Sequence, residues 1–93
     1  MDKLEQIGHL VVAALFKARE LNKFALDSEL KEKVKELVKA AKDSSRKIEA
    51  LAEVTAKNGQ LDKATVNAAL DRILAAMKNV NDELDRLLAK ARG

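Results

Sequence analysis

Residues 31–51 read KEKVKELVKAAKDSSRKIEAL, and the fold turns on whether Asp43-Ser44-Ser45 near their centre ends one helix and caps another. Aspartate and serine accept hydrogen bonds from the free N–H groups of a helix start, so the triplet has the composition of an N-cap. The apolar phase points the other way. Leu30, Val34, Leu37, Ala41, Ser44, Ile48, Leu51 and Thr55 follow alternating steps of four and three straight through the triplet, as one continuous helical seam does. The stretch is expected to be one helix, bent at most near Asp43–Ser45, with a split there as the alternative.

Two further seams lie on either side of it. Leu4, Ile7, Val11, Ala14, Ala18, Leu21 and Ala25 form the first, and Val66, Leu70, Ile73, Met77, Val80, Leu84, Leu87 and Ala91 the third. No run alternates apolar and polar residues in the manner of a strand. Turn chemistry falls where the seams break. Asn22 is expected as a left-handed residue closing the first helix, with Asp27 and Ser28 available to cap the second. Asn58-Gly59 closes the second segment, since glycine takes positive φ without steric cost, and Asp62 caps the third. Asp2 and Glu5 have the spacing of a capping box, with aspartate in place of serine or threonine. The predicted helices run over about 3–22, 28–57 and 62–92. Links this short make consecutive helices antiparallel, so the expected fold is all-α: an up-down-up three-helix bundle with coiled-coil-like packing.

Ninety-three residues fit one domain spanning 1–93 and are too few for two independent cores. Apolar residues at 47% exclude a disordered chain, and 35% charged residues with no proline suit long solvated helices. The absence of cysteine removes disulfides, thiolate nucleophiles and cysteine-based metal sites. Leu10–Phe16, LVVAALF, is too short for a bilayer span, and neither the mixed leader MDKLEQ nor the following KARE suits a signal peptide. A soluble cytoplasmic protein is expected.

Seam positions other than Ser44 and Thr55 are apolar, so the interior is expected to hold no ligands for a cofactor or metal of the kind that bundles build from inward-facing carboxylates and histidines. The expectation is a protein that is not an enzyme and uses no cofactor. His9 is the lone histidine, on the outer face by phase, with no second ligand at helical spacing. Gly8 beside it costs roughly 1 kcal/mol relative to alanine inside a helix, which marks a frayed first turn or a close helix contact. Residues 57–65 read KNGQLDKAT; aligning Gly59 with the central glycine of a calcium loop puts Val54, Ala56 and Thr65 where the first, third and twelfth ligands should be, so an interhelical turn is expected instead.

The formal net charge of +3 is spread over all three segments. The densest basic cluster is Lys35, Lys39, Lys42 and Arg46 on the outer face of the second helix, with Glu32, Glu36 and Asp43 close enough to offset much of it. Glu29 with Lys33, Asp43 with Lys47 and Glu53 with Lys57 have helix-stabilising spacing. Phe16 and Phe24 are the two aromatics, too few for a stacking platform, so nucleic acid is a poor fit and a solvated face the simpler one.

The first helix stands apart because residues 10–16 are apolar all round. Val12 and Phe16 point away from the seam together with His9. A helix apolar on every side is normally covered on every side, although scattered surface hydrophobes are also common. His9, Val12, Ala13, Phe16, Arg19 and Glu20 are therefore the expected partner interface. The first function expected is a protein–protein interaction or assembly module binding another protein or itself as a weak homodimer. The alternative is a purely structural or designed bundle scaffold without a ligand. A third, an anion or nucleic-acid binder, rests on Lys35, Lys39, Lys42 and Arg46 alone.

Overall fold

The computed structural model describes residues 2–58 and 62–93. They form three α-helices and no strand: α1 over Lys3–Leu21, α2 over Ser28–Asn58 and α3 over Lys63–Arg92. Gly59, expected in a left-handed turn, and the side chain of the seam residue Thr55 lie outside the described residues. The triplet at 43–45 does not interrupt α2, and Ser44 is buried in line with Ala41.

Local chemistry sets the helix starts. The Asp2 carboxylate accepts from the Glu5 amide at 2.8 Å, Asp27 from Leu30 at 2.9 Å and Asp62 from Ala64 at 3.4 Å. Each thereby satisfies an N–H that has no partner within its helix. Asn22 departs from expectation. Its φ of −66° and ψ of −13° are right-handed, not left-handed. The α1 end is closed by tighter bonds instead, from the Lys23 amide to Glu20 O at 3.2 Å and from Phe24 to Leu21 O at 3.0 Å. This tightened exit turns Phe24 and Leu26 onto the core, against which both are half-buried.

One apolar cluster draws on all three helices, with Ile7, Leu21, Met77 and Leu84 fully enclosed. α1 packs more closely along α3 than along α2, and the two run parallel. Lys3 pairs with Asp71 at 2.8 Å and Lys17 with Asp85 at 3.0 Å, two heptads further along both helices. α2 runs antiparallel between them and sends Lys33 across to Glu83 at 3.4 Å. The expected Glu53–Lys57 pair forms at 3.4 Å, whereas Lys33 leaves Glu29 for α3.

Three departures from the sequence-based core follow from helix length and from how the helices are arranged. At 19 residues α1 is about 28 Å long, against about 45 Å for α2 and α3, and the molecule extends over 49 Å. The far ends of α2 and α3 therefore project beyond the start of α1. Leu4, a seam residue by phase, is 50% exposed there, at the edge of an apolar hollow it shares with Ile48, Leu51, Val66 and Leu70. Ala25 falls in the link between α1 and α2 and is exposed. On α3, which packs against two neighbours, the buried face is wider than one seam: Leu88 and Asn81 are buried beside it.

Asn81 corrects the expectation of an interior whose polar seam groups are Ser44 and Thr55. It is 5% exposed, and its Nδ2 donates to Leu10 O at 3.0 Å and Met77 O at 2.9 Å. Its Oδ1 accepts from Lys17 Nζ at 3.0 Å. Among the described residues, no buried side-chain nitrogen or oxygen lacks a partner.

Candidate interaction faces

The regular seam of α1 turns Ile7, Ala14, Ala18 and Leu21 inward. A helix turns 100° per residue, so Val12 and Phe16 are carried to the far side. Both are 62% exposed, and Leu15 beside them is 39% exposed. Of the other residues expected at this face, His9 and Arg19 are exposed, while Ala13 and Glu20 are half-buried toward its margin. The Glu20 carboxylate is held by Lys23 at 3.1 Å. His9 borders a shallow hollow of about 270 Å³ with Gln6, Leu10 and Lys78 on the α3 side. The structure thus gathers Val12, Leu15 and Phe16 into one apolar strip flanked by His9 and Arg19. Leu15 is not among the residues expected at the interface. Its position beside the seam marks it only as a flank, and neither neighbouring helix covers it.

The second face lies on α2. Lys35, Lys39 and Lys42 line a groove of about 490 Å³ together with Lys31, Val34, Val38 and, from the end of α1, Asn22. Arg46 continues the same row one turn further along but does not line the groove. Lys31 is the member that charge counting passed over. It extends the row by one turn at four-residue spacing, a signal present in the sequence. The offset expected from Glu32, Glu36 and Asp43 takes no direct form, because among the described residues none of the four groove lysines shares an ion pair with a carboxylate.

Among the described residues, no three His, Asp or Glu side chains are placed to hold a metal, and no helix is long and apolar enough to cross a membrane. Compared with family models, with curated proteins and with solved structures, the chain matches none.

Proposed function

We propose that this chain is a non-enzymatic interaction or assembly module that presents the outer face of α1 to a protein partner or to a second copy. One observation carries the proposal. Val12 and Phe16 lie one turn apart on the same side of a well-formed helix, each 62% exposed, with Leu15 adjacent. Exposed hydrophobes scattered singly require no explanation, but neighbouring ones on a rigid element form a surface that gains free energy when covered.

The double substitution Val12→Lys, Phe16→Glu tests it. Neither side chain belongs to the core cluster, so helical content by circular dichroism is expected to be unchanged. Light scattering over a concentration series is expected to show association in the parent chain and its loss in the variant. Association that survives both charges, or a parent chain that stays at its 10.2 kDa monomer mass and binds no protein through this face, overturns the proposal.

A further inference from the structure

The groove on the α2 side of α1 combines three features that separately mean little. Its floor is apolar, made by buried Val34 and half-buried Val38. From α1, Asn22 borders the groove; Leu15 does not line it but lies seven residues earlier on the same side of that helix and adds exposed apolar surface beyond its edge. The other rim is a row of cations. Lys31, Lys35, Lys39, Lys42 and Arg46 succeed one another at steps of four, four, three and four. Like charges at this spacing destabilise a helix by a few tenths of a kcal/mol per pair. Glu32, Glu36 and Asp43 offset part of this through space, but among the described residues no close ion pair ties the row to a carboxylate.

We infer that this groove receives an acidic amphipathic helix of a partner protein. The partner's apolar stripe would lie on Val34, Val38 and Leu15, with its carboxylates along the lysine row. The row covers about 22 Å at 1.5 Å per residue, the length of a helix of about four turns. This face of α2, bordered by the end of α1 at Asn22, can accept a helix laid along it, read as anchors at i, i+3, i+4 and i+7. An extended nucleic acid strand lacks its stacking partners here, because among the described residues no aromatic side chain lines the groove. A flat anionic membrane would meet the lysines but leave the valine floor uncovered. The inference shares with the proposed function the idea of an interaction module, but it uses a different face from Val12 and Phe16.

A synthetic 18-residue helical peptide with leucine at its a and d positions and glutamate elsewhere is the probe, with the lysine counterpart as control. Titrated into the isotopically labelled full chain, the glutamate peptide is expected to shift the amides of residues 31–42, Leu15 and Asn22. It is expected to bind at least tenfold more tightly than the lysine peptide, with affinity falling as salt rises. Lys35→Glu with Lys39→Glu should weaken binding tenfold or more. Val38→Gln, which keeps every charge, should weaken it severalfold. Circular dichroism checks that the variants remain folded. The Val12→Lys, Phe16→Glu variant should still bind the peptide, which separates failure of this inference from failure of the proposed function. Equal affinity for the two peptides, shifts confined to Val12 and Phe16, or indifference to Val38→Gln overturns the inference. So does binding to phosphatidylserine vesicles or to a DNA duplex in the absence of peptide binding.

Discussion

Asn81 uses its amide fully, donating through Nδ2 to the Leu10 and Met77 carbonyls and accepting Lys17 through Oδ1. It lies seven residues from both Leu74 and Leu88, so it replaces an apolar residue in a stripe of α3 that faces α1. A buried amide that reaches the backbone of one particular turn of a neighbouring helix selects register more than it adds stability. Asn81→Ala leaves Lys17 short of an acceptor and opens a gap, and is expected to cost about 1–3 kcal/mol. Asn81→Leu removes the polar group altogether and restores the stripe, so it should change stability by less than about 1 kcal/mol or raise it. Denaturant unfolding of the two variants checks this; equal losses would place the energy in the hydrogen bonds themselves. Gly8 makes a second prediction at this scale. It sits within α1, is exposed, and a Cβ built there meets nothing within 4 Å, so it is no close-contact glycine. Gly8→Ala should stabilise the fold by up to about 1 kcal/mol, read as a raised denaturation midpoint.

At the level of the helices, α1 and α3 form a parallel pair. The Lys3–Asp71 and Lys17–Asp85 pairs, two heptads apart, bracket the Asn81 bond to Leu10. These ion pairs are partly exposed, so they contribute orientation more than energy. α2 is held differently, by the wedge of Val34, Ala41 and Ser44 and by a start that Asp27 caps. Both Asp27 and Ser28 have N-cap chemistry in the sequence. The 2.9 Å bond from the Leu30 amide assigns the role to Asp27. Asp27→Ala is therefore expected to cost about 1 kcal/mol, whereas Ser28→Ala, one residue inside the helix, should cost little. Thermal unfolding of the pair distinguishes them, and the reverse order would move the cap.

For the molecule as a whole, the strength of the proposed association is limited by how little the α1 strip would bury. Covering Val12 and Phe16 on both copies of a two-fold dimer returns roughly 6–12 kcal/mol gross, at about 1.5–3 per side chain. Association itself costs an estimated ~4–15 kcal/mol. The expected dimer is weak, and a tighter complex draws on Leu15 and the neighbouring polar residues. The charges that Val12→Lys and Phe16→Glu place in that strip should weaken association by several kcal/mol, since a desolvated charge without a partner is costly. The two faces adjoin at Leu15, so one partner large enough can contact both.

The number, type and limits of the helices were legible along the chain, because each depends on local causes. Seam spacing carries α2 through Asp43–Ser45, and the aspartates at 2, 27 and 62 cap the starts within one residue of expectation. Outward placement of Val12 and Phe16 follows from period alone, as does the row of lysines. What depended on neighbours was not legible. Asn22 keeps a right-handed conformation because the exit from α1 tightens to bring Phe24 and Leu26 onto the core. Leu4 lost its cover because α1 is shorter than the helices beside it. Asn81 was buried because α3 must face two helices and so hides more than one seam. The groove over Val34 and Val38 depends on where the end of α1 meets α2, at Asn22. A helical period specifies which residues share a side of one helix, but how close the next helix comes depends on packing among all three.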